Sequence, residues 1–470
     1  MYDVVIIGSG LGGLACGHTL SRLGMKVLIL ERQQQAGGAM QSYVRRGKHF
    51  DTGMHYVGGL DEGQSLYSTF RNLNLLSLPW QRLDPDGFDR VTIEGNTYRY
   101  KEGYENFCEE MSGYFPEERK AIVAYVRAMQ EMGEKEGTDV SAWEWLNSLF
   151  RNPLLIDVLS GTCIKMELRR ETLPLFSFVH NQGPYIESSW RLNGPGLLIV
   201  ERLVGDIRAA GGDVLCGDGV TELAVHDDKV SAAKTSAGNV YEGRYFISDV
   251  HPVVTLSWVR ENGKIKNIFR RRMAMLENSF GMFTVSLVLR HGSVQSFNHN
   301  KYIYAQRGVW EMHEMPMRPV GAVLVTNPAE DQIDILTPTH YDMWSKWTDT
   351  GVGHRGEDYL ALKQQMAEEC ISLASQEIAD LRNNVEQMYT SSPLTWRDYN
   401  QTPGGSAYGL RKDWKNPLMT ILSPRMPISN LFLTGQNVAL HGLMGVTKTA
   451  QYTCEQVLAS MESEGYKLKK

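Results

Sequence analysis

At 470 residues the chain is long enough for two or three domain-sized cores. Its 42% hydrophobic and 22% charged residues are ordinary for a folded soluble protein, and a net charge of −6 leaves no basic footprint for a nucleic-acid partner. Six scattered cysteines, with no CxxC or other metal-ligand spacing, fit free and mostly buried thiols in a reducing compartment rather than a disulfide framework.

The first element predicted is a strand over the β-branched run Tyr2 to Ile7, apolar enough for burial on both faces. A strand beginning at Tyr2 leaves no room for a signal peptide, and no uncharged apolar run approaches the ~20 residues of a membrane span. The expectation is a cytoplasmic protein, with peripheral membrane contact left open. Gly8, Gly10 and Gly13 follow as G-x-G-x-x-G, and Leu11, Leu14, Ala15, Leu20 and Leu23 carry a helix to Gly24. A second buried strand, "KVLIL", ends at Glu31. In this arrangement Gly8 turns the chain, Gly10 lets a pyrophosphate approach the backbone and Gly13 packs helix on strand. The helix N-terminus offers free N–H groups to the phosphates, and Glu31, eighteen residues after Gly13, can accept from ribose hydroxyls.

After Glu31 and Arg32 comes a second glycine turn, Gly37-Gly38, and then "HFDTGMHY", which holds Asp51 and His55. Trp145 to Arg170 mixes Leu, Ile and Phe with Arg151, Lys165, Arg169 and Arg170; it fits an interfacial helix or a core helix with snorkelling basic groups. From Gly211 to Pro252 the pattern gives a strand to Leu215, then alternating strands joined at "HDDK" and "SAGN" and ending in "FISDVHP". "GVGHRG" at Gly351, Gly353 and Gly356 repeats the glycine spacing, but no buried strand precedes it and no strand ending in an acid follows. It reads as a loop before a helix. The loop Leu410 to Met426 poses the same interfacial-or-core ambiguity as Trp145 to Arg170. Finally "NLFLTGQNVALHGLMGVTKTAQ" is a strand ending at Gly435, a polar pair, Gln436 and Asn437, then further glycines and a helix. The chain thus has a glycine-lined helix start at each extreme.

The acid followed by "GG" and Ser42 resembles the FAD-binding signature of the superfamily that includes amine oxidases and carotenoid desaturases. The resemblance implies that the two helix starts hold the two ends of one long FAD, pyrophosphate at the first and flavin at the second. It implies cofactor contacts at Gly8, Gly10, Leu11, Gly12 and Gly13, at Glu31 and Arg32, and at Gly37, Gly38 and Ser42. Val220 would meet the adenine through its backbone, and Gly435, Gln436, Asn437, Gly445 and Val446 would border the flavin. An Asp is common in the family where Gln436-Asn437 stands; an amide can bond a ribityl hydroxyl but brings no charge. The implied fold class is α/β. A discontinuous Rossmann-like FAD domain (1–75, 190–260 and 410–470) would carry an inserted α+β substrate domain (76–189 and 261–409) of mixed sheet and helices.

"FDTGMHYVGG", "GSAYGL" and "LFLTGQNVALHGLMG" look like the carotenoid isomerase, phytoene desaturase and retinol saturase branch. That resemblance implies an apolar polyene or isoprenoid substrate and hydride exchange at flavin N5, with a lean towards saturase or isomerase over desaturase. With one credible nucleotide fold, an external electron donor or acceptor is required. No Ser–His–Asp or metal-ligand cluster stands out, as suits chemistry carried by a cofactor. His55 and His441 are the candidates for proton exchange or are hydrogen-bonded structural histidines, and Asp51 reads as a brace. Two other readings stay open. One is a flavin amine oxidase, although no aromatic cage can be located in the sequence. The other is a non-catalytic prenyl-lipid binder of the GDP-dissociation-inhibitor type.

Overall fold

The computed structural model describes residues 1–133, 136–260, 264–314 and 319–465. The two amino-terminal apolar runs form strands Tyr2–Ile7 and Val27–Glu31, paired in parallel with Val4 opposite Val27 and Ile7 opposite Leu30. Every residue of Val27–Glu31 is buried, because both faces are covered: Val27 and Ile29 pack on helices, and Leu28 and Leu30 cluster with Val220, Leu223, Val230 and Ala233. The sheet is seven-stranded, in the order Asp213–Cys216, Val27–Glu31, Tyr2–Ile7, Val240–Ser248, Lys229–Thr235, Val220–His226, with Leu431–Leu433 also paired to Val240–Ser248.

Val240–Ser248 pairs in parallel with Tyr2–Ile7 along one edge and serves two partners along the other. Its first half pairs antiparallel with Lys229–Thr235, Val240 opposite Lys234. Its second half pairs in parallel with Leu431–Leu433, Ser248 opposite Leu433. The chain therefore leaves this strand at Asp249 beside the point where the carboxy-terminal strand turns at Gly435. The "HDDK" hairpin forms with Asp227 and Asp228 at φ 46° and 62°, the left-handed geometry that short hairpin turns need and that Asp tolerates. Helix Leu11–Arg22 packs against helices Leu197–Ala209 and Gly442–Ser463 in a cluster that includes Leu14, Leu20, Leu203, Ala450 and Val457.

A second seven-stranded sheet runs Val385–Ser391, Gly281–Leu289, Gln332–Thr339, Ala322–Ala329, Asn300–Tyr304, Asp89–Ile93, Asn96–Tyr100. It is antiparallel except where Asn300–Tyr304 and Asp89–Ile93 run parallel. Side-chain alternation assigns its faces. Phe283, Val285, Ile333 and Ile335 pack under helix Glu357–Ala374. Met282, Leu324, Leu336 and Tyr302 join a separate cluster with Phe107, Leu155 and Phe178.

The segment Trp145 to Arg170 is not one interfacial helix. Pro153 begins a new helix, Pro153–Ser160, after Ala142–Leu149, and Leu155, Ile156, Val158 and Leu159 are buried in that cluster. "GVGHRG" is a loop capped by Gly356 before helix Glu357–Ala374. Among the described residues no helix is long and apolar enough to cross a membrane. Cys16, Cys163, Cys370 and Cys454 are buried, Cys108 is partly buried and Cys216 is exposed, all as free thiols.

Candidate functional site

One cavity joins the two sheets. It is lined by Gly8, Gly10, Leu11, Gly12, Glu31, Arg32, Gly38 and Val220 from the amino-terminal pieces and the strand after Cys216, and by Gln436, Asn437, His441, Gly442 and Val446 from the carboxy-terminal piece. Both glycine-lined helices open into it. Neither helix start has a side-chain cap, and neither carries an acid in its first turn. Two uncapped positive dipole ends facing one space suit a long anionic ligand.

The bend at the strand end depends on Gly8 at φ +94°, a conformation that side chains rarely take. Close approach decides the next positions. A Cβ on Gly10 would stand 2.5 Å from Asp249 Oδ2, and one on Gly12 would stand 2.5 Å from Asp249 Oδ1. Gly13 lies against the Gly8 carbonyl and Gly435 against Asp249. Gly445 abuts the Leu440 backbone, which seats the last helix under its own turn.

Glu31 is held from both sides. Its Oε2 accepts from Ser9 N (3.0 Å) and Ser9 Oγ (2.6 Å), and its Oε1 accepts from Gln33 N (2.7 Å). A carboxylate has about four lone-pair positions, so acceptor capacity remains for hydroxyls in the cavity. Ser9 Oγ also accepts from Gly37 N (3.1 Å), tying the second glycine turn to the first. Arg32 borders the cavity, but its guanidinium donates to the carbonyls of Asp398 and Tyr399, both at 2.9 Å. Ser42 is placed elsewhere. Its hydroxyl donates to Asp51 Oδ1 (2.5 Å), which also accepts from Gly196 N (2.9 Å), so this pair braces the start of helix Leu197–Ala209.

Asn437 secures the far turn: its Oδ1 accepts from Leu410 N (3.1 Å), and its carbonyl accepts from the buried Lys412 Nζ (2.9 Å). His441 Nε2 lies 3.0 Å from the Lys165 carbonyl, and its ring packs on Tyr408 with centroids 4.6 Å apart. Burial pushes both His441 and His55 down to about 4; Arg191 adds to the effect on His55 and Lys412 to that on His441. Both are neutral imidazoles at neutral pH and therefore weak proton donors there.

Besides the glycine floor, the same cavity has an apolar chamber wall made by Ile164, Met282, Leu324, Leu336 and Ala407. Its polar wall was not read from the sequence. Lys165 Nζ donates to Tyr56 Oη (3.0 Å) and stands 3.7 Å from the Tyr185 ring centroid. Tyr56 Oη donates to Asp89 Oδ2 (2.8 Å) and meets Tyr302 Oη at 2.6 Å. Away from the cavity, His291, Glu330 and Asp331 gather at the surface, where Asp331 accepts from Gly292 N (3.0 Å) and pairs with His291 Nδ1 (2.7 Å).

The profile of the NAD(P)-binding Rossmann-like domain matches residues 6–73. The all-trans-retinol 13,14-reductase of Danio rerio is 24% identical over 97% of this chain and 86% of its own length. A chloroplastic prolycopene isomerase of an Oncidium hybrid cultivar is 30% identical over 26% of this chain and 21% of its own. The chain is thus similar to a retinol reductase along nearly its whole length and to a carotenoid isomerase over about a quarter of it. A putrescine oxidase structure shares the fold, at TM-score 0.66 and 15% identity over 97% of this chain and 99% of that one. The matched Rossmann portion is one part of the chain, and the chamber residues Ile164, Met282, Leu324, Leu336 and Ala407 all lie outside it.

Proposed function

We propose that this enzyme is an FAD-dependent oxidoreductase that reduces a carbon–carbon double bond of a long apolar polyene, with electrons from an external donor. The observation that carries the reading is the continuity of one cavity, from the glycine cradle to a chamber lined by Ile164, Met282, Leu324, Leu336 and Ala407. FAD suits the first part because two uncapped helix starts open into the same cavity, where a dinucleotide could meet one with its diphosphate and the other with its flavin. The residues that would hold it are Gly8 to Gly12 and Glu31 at one end, and Gln436, Asn437 and the first turn of helix Gly442–Ser463 at the other. When bound, the flavin supplies two-electron chemistry to the chamber.

The chain's own residues supply the rest. Apolar walls take up a polyene by removing its surface from water. Leu324 and Leu336 sit opposite each other on neighbouring strands and form a continuous floor. The proposal keeps the division into a cofactor domain (1–75, 190–260, 410–470) and a substrate domain (76–189, 261–409). It is supported by sheet membership, since the strands of the first sheet fall in the first set and those of the second sheet in the other. Reduction is preferred to isomerisation because the likeness to the retinol reductase runs over 97% of the chain and that to the isomerase over 26%.

An amine substrate is disfavoured by charge. The Lys165 ammonium already lies over the face of Tyr185 inside the chamber, where a second cation would be repelled. The test is the absorption spectrum of the purified protein and of the supernatant after denaturation, followed by anaerobic reduction and a panel of retinoids, carotenoids and amines. Near one FAD per chain and a saturated polyene product are expected. Protein that takes up no FAD, or that oxidises only amines, overturns the reading.

A further inference from the structure

We propose that Lys165 is the acid that delivers the proton in this reduction, with Tyr56 and Asp89 as the positioning pair that keeps it charged; the inference rests on the polyene-reductase reading above. Adding hydrogen across a double bond requires a hydride on one carbon and a proton on the other. The hydride half, with its two electrons, comes from the reduced flavin, and the external donor restores those electrons. The π pair of the double bond then forms the new C–H bond at the second carbon. The N–H bond of the ammonium breaks, its electron pair stays on nitrogen, and solvent later returns the proton to Lys165.

Geometry singles out this residue. Lys165 ends the short turn Cys163–Lys165, and its carbonyl is tied to His441, the residue that begins the carboxy-terminal helix at the flavin end. Its side chain therefore leaves from that end and lines the chamber beside Met282, Leu324 and Leu336. The other polar groups on the wall are poor acids. His55 and His441 are neutral, and burial raises Tyr56, Tyr185 and Tyr408, with Asp89 adding to the effect on Tyr56 and Tyr185.

A lone ammonium in apolar surroundings would give up its proton to water. Here the opposing charge is built in. Asp89 reaches the ammonium through one hydroxyl, Lys165 Nζ to Tyr56 Oη at 3.0 Å and Tyr56 Oη to Asp89 Oδ2 at 2.8 Å. Asp89 is itself fixed by Asn300 Nδ2 (2.8 Å). The groups facing Lys165 are Tyr56, Tyr185, Tyr302 and Asp89, with Cys163 on its own turn and His441 at its carbonyl. Burial lowers the ammonium from its ordinary value, while Asp89 and Cys163 act to raise it. The result is an ammonium that is more acidic than a surface lysine, with a hydroxyl-linked carboxyl to oppose the effect of burial.

The experiment measures product formation from a polyene by flavin-loaded enzyme in D₂O, across pH, with flavin content and polyene binding followed separately by fluorescence. Wild type should place a solvent deuteron at the protonated carbon of the product, and its rate should fall on the alkaline side as Lys165 loses its proton. Lys165→Met should keep FAD and polyene binding and lose about 100-fold or more in rate, with that alkaline limb gone. Asp89→Asn should shift the limb to lower pH, because it removes the charge that holds the proton. The double variant Lys165→Met/Asp89→Asn, which leaves no buried charge without a partner, guards against misfolding of the single one and should be equally slow. A Lys165→Met or double variant with the wild-type rate and limb overturns the role of Lys165 alone. Wild-type enzyme that carries FAD but reduces no polyene overturns the reductase reading and this role with it.

Discussion

A β-carbon on Gly12 would stand 2.5 Å from Asp249 Oδ1. The carboxyl of Asp249 thus occupies the cradle that the glycine turn leaves open, and it lines the same cavity as Gly8, Gly10 and Glu31. Burial pushes this carboxyl up to about 7, Glu31 adds to the rise, and the Gly13 N–H opposes it. A neutral carboxyl can donate to a phosphate oxygen, whereas a carboxylate repels it.

The first prediction follows from that placement. Binding of the FAD diphosphate favours protonated Asp249, so affinity should weaken as pH rises through about 7, by roughly tenfold per pH unit for one coupled proton. Asp249→Asn should bind FAD with a nearly flat pH profile. For the flavin-free protein the folded carboxyl titrates near 7 against an ordinary 3.8. Its contribution to stability is therefore complete below about pH 4 and lost as pH rises through 7. Titration of apoprotein with FAD at several pH values checks this; a wild-type profile as flat as that of Asp249→Asn refutes it.

Glu31 is coupled to the same site. Glu31→Gln removes a charged acceptor of Ser9 and Gln33 and should raise the dissociation constant for FAD by about tenfold or more, the scale of one lost charge-assisted hydrogen bond. Because Glu31 raises Asp249, the same variant should also start to lose FAD at lower pH than wild type does. An unchanged midpoint in the pH titration would separate the two residues.

Glycine identity at the cradle is tested by Gly12→Ala and Gly435→Ala. Each added methyl meets Asp249, and Gly435 also needs φ +84°. Gly435→Ala should cost about 1–3 kcal/mol through backbone strain, visible as a lower Tm, whereas Gly12→Ala keeps an ordinary helical backbone. Both should be purified with little flavin. A Gly12→Ala protein with full flavin content would show that the cradle has more room than its contacts imply.

The cofactor elements were legible because their constraints are local. Tyr2–Ile7, Val27–Glu31 and the "HDDK" hairpin form where hydrophobic period and turn chemistry put them. Chambers are different. Tyr56, Asp89, Lys165 and Tyr302 share no motif; they meet because Asp89 and Asn300 are register partners on parallel strands, a pairing no local pattern announces. Lys165 read as one basic residue of an amphipathic stretch until Pro153 split that stretch and buried it. Ser42 matched a motif but faces Asp51, because it begins strand Ser42–Arg45 directly opposite Asp51 on the paired strand Lys48–Asp51.

The substrate chamber offers the last prediction. Leu336 is buried, lines the cavity, and stands opposite Leu324 on one side and Thr284 on the other. Leu336→Trp would project an indole into the space that a polyene chain needs, while the glycine cradle lies on the other sheet. FAD content should therefore stay near wild type, and the KM for long polyenes should rise steeply, with a shorter isoprenoid affected less. Leu336→Ala, by enlarging the floor, should cost about 2–5 kcal/mol of stability and relax discrimination by chain length. Steady-state kinetics on a series of polyenes of graded length distinguishes the outcomes. If Leu336→Trp left every KM unchanged, the polyene would have to lie elsewhere in the cavity.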